Sequence, residues 1–298
     1  MHDKFLYKMQ FLIYIIIYPI LILVSILPFR ILYILSDLLY IIVYYIIGYR
    51  KNVVRDNLAL TLPHLSQAER KIIEKKSYSH LCDMFLEMIK TMTISKNEIY
   101  KRYYFANLDF YKSIEAEKKS IILMCGHYAS YEWLVSLNQQ VAFKGFGVYK
   151  KINNPYFDQL VKKIRARFGA TLISTKETIP TIIENVKNNV LSLYGFASDQ
   201  SPTLHNAVHW TKFLGVEVPI HVGAESLAKK YDLNILFLKT IKVKRGHYVA
   251  TFERLSDTIL DTPDYQISDL FIKKVEHQIY EAPEFYLWTH KRWKHRRA

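Results

Sequence analysis

The chain has 298 residues, half of them hydrophobic, and its 41 Lys and Arg outnumber its 27 Asp and Glu, which gives a formal net charge of +14. With so much apolar surface and only nine Gly and nine Pro, a disordered or collagen-like chain is excluded. Two cysteines are too few for a disulfide scaffold and favour a reducing compartment.

The first 50 residues have the composition of a membrane anchor. No charged side chain occurs from Met9 to Phe29, and about 20 apolar residues span a bilayer as a helix. The apolar part of a signal peptide is normally about 7–15 residues long and ends in small residues for cleavage. Here Pro28-Phe-Arg30 follows instead. We therefore expect a retained anchor rather than a cleaved signal.

A second apolar run covers residues 31–49, with Asp37 as its one charged residue. An Asp at the centre of a membrane helix costs about 2.5–3.5 kcal/mol. The run therefore either completes a hairpin across the membrane or lies on the membrane surface or on the body of the protein. Basic residues flank the two runs on both sides (Lys4 and Lys8; Arg50, Lys51 and Arg55). The positive-inside rule places these flanks, and with them residues 51–298, on the cytoplasmic side.

Residues 51–298 are predicted to form one α/β domain. Ser66 and Glu69 form a capping box for a helix that starts at residue 67 and continues to about residue 91. Strand and helix patterns then alternate, which predicts a mixed, mostly parallel sheet with helices on both faces. The predicted strands cover residues 120–125, 141–149, 171–174, 190–197, 233–243 and 248–255, and the predicted helices cover residues 129–139, 154–168, 178–188, 221–230 and 266–280.

The most informative segment is Cys125-Gly-His-Tyr-Ala-Ser-Tyr-Glu132. His127 follows a predicted buried strand, and ligand sites in open α/β sheets lie at such strand ends. Residues five apart do not share a helix face, so Glu132 meets His127 only if the histidine precedes the helix. A carboxylate on the imidazole would fix its tautomer and make the other ring nitrogen a general base. The alternative is a capping or core histidine beside a surface glutamate.

The His127-x4-Glu132 spacing after an apolar strand resembles the H-x4-D/E acyltransferase superfamily. The chain is more closely similar to the lipid A biosynthesis acyltransferase family, the lauroyl and myristoyl transferases. The segments that carry this resemblance follow the anchor in order along nearly the whole chain: residues 49–58, Leu62-Pro63, Gly126-His127 with Glu132, Val148-Tyr149-Lys150, Asn154-Pro155, Arg165-Ala-Arg167, Asp199-Gln200, Phe213-Leu-Gly215 and residues 282–294.

The resemblance implies an enzyme of the bacterial inner membrane with its catalytic domain on the cytoplasmic side. Its donor would be the thioester of an acyl carrier protein and its acceptor a hydroxyl of a lipid A precursor, with no cofactor and no metal. His127 would act as the general base and Glu132 would orient it. Arg165, with Arg167 nearby, is the candidate for an oxyanion donor or phosphate clamp, unless both belong to a solvated basic face.

Three further residues are candidates for substrate binding. Asp199 and Gln200 follow the predicted strand over residues 190–197, and Asp199 could orient an arginine, accept a hydrogen bond from a sugar, or serve as a turn residue before Pro202. Lys150 stands where the family often has Arg, which weakens a bidentate role there.

Other readings of the sequence remain open. The same fold could act on a different hydroxylated lipid, or the chain could be a membrane adaptor without catalysis. The basic tail would also suit nucleic acid, but the anchor argues against that partner because it would fix the protein at the membrane. An anionic membrane, a phosphorylated glycolipid and an acidic carrier protein explain the charge equally well. Trp288 and Trp293, close to that tail, are predicted to lie at the membrane interface.

Overall fold

The computed structural model describes residues 2–297, with side chains from residue 9 onward. Three of its helices begin with a residue whose side chain accepts hydrogen bonds from free backbone N–H groups. Ser66 and Glu69 form the predicted capping box, and the Asn154 side chain accepts from the amides of Tyr156 and Phe157. The α-helices are α1 (His2–Ile26), α2 (Phe29–Tyr40), α3 (Lys51–Thr61), α4 (Gln67–Lys90), α5 (Lys96–Arg102), α6 (Leu108–Ala116), α7 (Pro155–Ala166), α8 (Thr178–Lys187), α9 (Gly223–Tyr231) and α10 (Gln266–Glu281).

Seven strands form one sheet in the order β1-β9-β8-β2-β5-β3-β4. From β8 to β4 all neighbours are parallel, whereas β9 pairs antiparallel with β8 and parallel with β1. The predicted mixed, mostly parallel sheet is therefore confirmed. The strands are β1 (Tyr103–Phe105), β2 (Ile121–Cys125), β3 (Lys144–Tyr149), β4 (Thr171–Ser174), β5 (Ser192–Ala197), β8 (Asn234–Lys244) and β9 (His247–Arg254), and a separate hairpin is formed by β6 (Trp210–Phe213) and β7 (Val216–Pro219).

Two neighbouring central strands, β2 and β5, end at the same edge of the sheet. β2 lies between β5 and β8, and all five of its residues are buried. In the pairing of β2 with β5, Cys125 lies opposite Ala197. Both strands run in the same direction, so the residues that follow them, 126–127 and 198–199, leave the sheet at the same edge and side by side.

The predicted helix over residues 129–139 is wrong in both type and start. The chain forms a loop up to Tyr131 and then a 3-10 helix, Glu132–Gln139. Ala129 has φ = 49°, a left-handed conformation that does not fit a right-handed helix. Its amide instead donates to the carbonyl of Phe285 at 2.9 Å. A contact with a distant segment thus overrides the local helical pattern.

Two N-terminal segments, Met9–Ile26 and Phe29–Ile47, are helical, long and apolar enough to cross a membrane. The second consists of α2 and a π-helix, Ile41–Ile47, that continues it. α2 packs one face on α4: Tyr33 donates to Glu87 at 2.8 Å and Ser36 donates to Asp83 at 2.8 Å. Its other face is exposed and apolar (Ile31, Ile34 and Leu38).

The chain ends in a segment that crosses the functional edge of the sheet, and we call residues 286–293 the C-terminal segment. Trp288 and Trp293 are both buried, with their rings stacked at 5.9 Å. The Trp293 ring also stacks on Phe213 at 5.6 Å. The prediction that these tryptophans lie at the membrane interface is therefore wrong, because both are part of the hydrophobic core.

Candidate active site

His127 is held at the end of β2 by a carboxylate from the end of β5. Oδ1 of Asp199 accepts two hydrogen bonds from this histidine, one from the backbone N–H at 3.0 Å and one from Nδ1 at 2.6 Å. With Nδ1 bound in this way, Nε2 is the ring nitrogen left to take a proton. The parallel pairing of β2 with β5 brings the two residues together although 72 positions separate them in the chain.

Asp199 stays ionised in this position. It is fully buried, and burial raises the pKa of its carboxyl group. The electrostatic interaction with His127 and the two hydrogen bonds from that residue act in the opposite direction and outweigh burial, so the net pKa of Asp199 lies below the ordinary value. An ionised carboxylate accepts hydrogen bonds and does not donate them, and this fixes Nδ1 of His127 as the donor.

Glu132 does not contact His127, which corrects the expected pairing. Its carboxylate accepts two hydrogen bonds from Arg165 on α7, from Nε at 2.8 Å and from Nη2 at 2.5 Å. A guanidinium matches a carboxylate with two parallel bonds, a stronger arrangement than a single bond to an imidazole. Glu132 is thus drawn toward α7, and the position beside His127 is taken by Asp199.

An apolar groove of about 320 Å³ opens beside this site. The ring of Tyr131, which lies edge-on to the His127 ring with centroids 5.0 Å apart, connects the histidine to the groove. Glu132 and His290 also face the groove, and Tyr49 and Arg50 extend its lining to the end of the second apolar segment. Its apolar wall is formed by α4 and the C-terminal segment (Leu81, Met84, Phe85, Met88 and Leu287).

The C-terminal segment closes the site through backbone hydrogen bonds. The Leu287 amide donates to the carbonyl of His127 at 3.2 Å, and Tyr128 forms a β-bridge with Tyr286. From the other side, the Asn57 side chain donates to two carbonyls of the segment, those of Trp288 and His290. Residues from opposite ends of the chain therefore fix the loop that carries His127.

Of the remaining candidate residues, Arg167 has a clear structural contact. Its Nη1 donates to the carbonyl of Thr91 at 2.8 Å and to that of Ile94, which ties the end of α7 to the loop after α4. Lys150 is exposed just past β3, and Gln200 is half-buried next to Asp199. Among the described residues, no group of three or more His, Cys, Asp or Glu side chains is arranged to hold a metal ion.

Sequence reasoning missed the partner of His127 and the contribution of the C-terminal segment. The position of Asp199 at the end of a predicted strand indicated a role at the site. Predicting its bond to His127 also required knowing that this strand, β5, is the neighbour of β2. For Tyr286, His290 and Arg292, the one signal in the sequence was their place in the terminal motif of the resembled family.

Comparisons with known proteins agree with this architecture. A family model described as bacterial lipid A biosynthesis acyltransferase matches residues 2–295. The chain is 24% identical over 250 residues to the lipid A biosynthesis lauroyltransferase of Escherichia coli strain K12, which covers 83% of this chain and 80% of that protein. It is 22% identical over 244 residues to lipid A biosynthesis acyltransferase 2 of Shigella flexneri (81% and 77%) and 22% identical over 233 residues to the Escherichia coli K12 myristoyltransferase (78% and 71%).

The match extends over the N-terminal helices, the sheet and the C-terminal segment alike, so that the two apolar helices and the edge of the sheet that carries His127 fall within one family pattern. The chain belongs to the bacterial lipid A biosynthesis acyltransferase family.

Proposed function

We propose that this protein transfers a fatty acyl chain from the thioester of an acyl carrier protein to a hydroxyl group of a lipid A precursor. The observation that carries the proposal is the His127–Asp199 pair beside an apolar groove. The pair provides a base for the acceptor hydroxyl, and the groove provides a surface for a fatty chain. Membership in the family supports the lipid A acceptor.

The reaction needs no covalent enzyme intermediate. Nε2 of His127 takes the proton of the acceptor hydroxyl while its oxygen attacks the thioester carbonyl, and the carbonyl π electrons move onto oxygen. When the tetrahedral intermediate collapses, the C–S bond breaks, and the imidazolium returns the proton to the departing thiolate. Asp199 stabilises the imidazolium between these two transfers. The products are an ester and the free thiol of the carrier.

Arg165 is the proposed donor for the developing oxyanion or for a phosphate of the acceptor. A guanidinium has five N–H donors, and its two bonds to Glu132 leave three for a substrate. Glu132 is then a positioning residue that holds this guanidinium at the groove. A fixed donor of this kind is worth about 2.7–4 kcal/mol of transition-state stabilisation.

The other candidate substrate residues have different roles in this proposal. Gln200 and Lys150 remain predicted substrate contacts, since the first adjoins Asp199 and the second is exposed. Arg167 is proposed to fix the end of α7, because its guanidinium already bonds backbone carbonyls.

Residues 1–50 are proposed as the membrane anchor and residues 51–298 as the acyltransferase domain on the cytoplasmic side of the inner membrane. α1 is the proposed spanning helix. α2 is proposed to lie at the membrane surface, because its polar contacts bind it to the catalytic domain. Asp37, the residue that argues against spanning, accepts from Arg245 of the β8–β9 turn at 2.6 Å. The exposed apolar face of α2 would then rest in the lipid.

The test uses the full chain purified in detergent, with acyl carrier protein charged with a fatty acid and a lipid A precursor. Mass spectrometry of the lipid product should detect one added acyl group. His127→Ala should reduce the rate by at least about 100-fold, the lower bound for loss of a general base. His209→Ala is the matched control: this histidine also contacts a carboxylate, that of Asp269 at 2.9 Å, but it precedes β6 and does not lie at the ends of β2 and β5.

Each outcome of this experiment decides between the open readings. Transfer to a different hydroxylated lipid, with the lipid A precursor unchanged, would replace the acceptor and leave the chemistry of His127 in place. Full transfer by the His127→Ala variant would refute the mechanism. A protein that transfers no acyl group to any lipid tested, yet still binds its membrane partners, would instead be a non-catalytic adaptor.

A further inference from the structure

A buried arginine in the C-terminal segment forms no direct salt bridge with any residue that the structure describes. The Arg292 side chain is 0% exposed. Its Nη1 contacts the Ser201 hydroxyl at 3.3 Å, and the guanidinium lies 5.2 Å from the centroid of the Phe213 ring. Its Nε and Nη2 atoms are buried without a hydrogen-bond partner. Buried cations are costly unless they are paired, so this guanidinium needs an explanation.

A buried carboxylate atom near Arg292 is equally unsatisfied. Oδ2 of Asp199 is buried and has no partner with regular hydrogen-bond geometry among the described residues, whereas Oδ1 carries both bonds from His127. The Tyr286 hydroxyl also interacts with this carboxylate. Ser201, which contacts Arg292, is two residues beyond Asp199. Burial lowers the pKa of Arg292, and the attraction of Tyr286 and Asp199 acts against that decrease. The two opposite charges thus act on each other in a medium of low dielectric constant.

We propose that Arg292 is a positioning residue of the acyl-transfer site, whose positive charge acts on Asp199 and weakens the pull of that carboxylate on a proton at His127. The inference rests on the proposed role of His127 as a general base. Asp199 alone would favour a proton on the imidazole before the substrate arrives. A permanent cation beside Asp199 offsets that attraction, so the imidazole is free to take the proton of the acceptor hydroxyl.

The other titratable groups around Asp199 are uncharged near neutral pH. Burial lowers the pKa of His290 to about 4 and also lowers the pKa of His221. Burial raises the pKa of Cys125 to about 12 and raises those of Tyr131 and Tyr286. Glu132 and Arg165, next to Tyr131, neutralise each other. The charge that faces Asp199 from the C-terminal segment is therefore that of Arg292.

The first test measures the protonation of His127 without any substrate. Diethyl pyrocarbonate modifies neutral imidazole, and peptide mass spectrometry reports how fast His127 is modified at each pH. In Arg292→Met we expect the midpoint of this pH dependence to move upward by about one pH unit, since one nearby charge shifts a titration by about 1–3 units. Arg292→Lys, which keeps the charge, and the exposed neighbour variant Lys291→Met should remain near the wild type.

A second test covers the case in which Arg292→Met folds poorly. If Arg292 balances Asp199, then Arg292→Met should lower the unfolding temperature more in the wild-type background than together with Asp199→Asn, where the buried carboxylate charge is already absent. Equal decreases in both backgrounds would overturn the inference. So would an unchanged midpoint for His127 in Arg292→Met, or equal shifts in the Met and Lys variants.

The acyl-transfer assay separates this inference from the proposed function. A wild-type protein that transfers no acyl group refutes the proposed function, whereas both tests above need no substrate. Where transfer is observed, the acid limb of the pH–rate profile should move to higher pH in Arg292→Met. A lower rate with an unmoved acid limb would indicate packing alone and would refute the role of the charge.

Discussion

The pairing of Glu132 with Arg165 predicts that Glu132 and Asp199 act in different ways. Glu132→Gln keeps the shape of the side chain but removes its charge, and one amide oxygen replaces two carboxylate acceptors. Removing one partner of a buried ion pair costs about 3–5 kcal/mol. Because the Arg165 side chain is 25% exposed and the Glu132 side chain 7%, we expect the lower end of that range. The loss is large against a total stability of about 5–15 kcal/mol.

Urea unfolding in detergent micelles, followed by tryptophan fluorescence, measures this loss. The double variant Glu132→Gln with Arg165→Met should regain much of the lost stability, because it no longer leaves an unpaired buried guanidinium. The variant Asp199→Asn also removes a buried charge and should lose stability, so the two residues are distinguished by their effects on catalysis. The acyl-transfer rate of Asp199→Asn should fall by roughly 10⁴-fold, as for other His–carboxylate sites in which the carboxylate becomes an amide.

The pH dependence completes this comparison. Glu132→Gln, assayed at a temperature where it stays folded, should keep the acid limb of the wild-type pH–rate profile, since Glu132 does not touch the His127 ring. If Glu132→Gln moved that limb and Asp199→Asn did not, the assignment of Asp199 as the partner of His127 would be refuted.

Three further predictions concern the helices around the site. Burial raises the pKa of Glu87 to about 7 from an ordinary value of 4.5. A protein with such an acid loses stability as the pH rises through this interval, here by up to about 3 kcal/mol. Urea unfolding at pH 4.5 and pH 7.5 should show this loss in the wild type and not in Glu87→Gln. Arg245→Met deletes the contacts with Asp37 and Asp83, so hydrogen exchange in α2 should become faster while exchange in β2 stays unchanged. Trp133→Phe removes the hydrogen bonds of the indole N–H to the Glu87 carbonyl and the Thr91 hydroxyl, and it should lower the free energy of unfolding by about 1–3 kcal/mol; no measurable loss would contradict that assignment.

The sequence predicted the elements whose signals are local. The capping box at Ser66, the N-cap at Asn154 and the buried strand before His127 were all readable, because each depends on neighbouring residues. The hairpin of β8 and β9 was readable from two apolar runs around a short turn, and the structure confirms it.

The details of the site depend on contacts between distant residues. The bond between His127 and Asp199 depends on β5 lying next to β2, which no periodicity reveals. The loop at Ala129 was predicted as helix from its local pattern. Its left-handed backbone is fixed by a bond to Phe285, far along the chain, and that contact cannot be read from neighbouring residues. A five-residue spacing suggested Glu132 as the partner of His127, but the guanidinium that binds Glu132 comes from another helix.

The backbone bonds of the C-terminal segment also constrain how the enzyme can be made. A ribosome synthesises the two N-terminal apolar helices before the sheet and residues 286–293 after every strand of it. Until those residues emerge, the carbonyl of His127 and the amide of Ala129 lack the partners they have in the finished fold. The nascent chain therefore contains both apolar helices and every strand of the sheet before the loop of His127 can reach its finished conformation. A premature stop before residue 286 would leave these backbone groups without their partners, and we expect such a fragment to be a target for quality-control proteolysis.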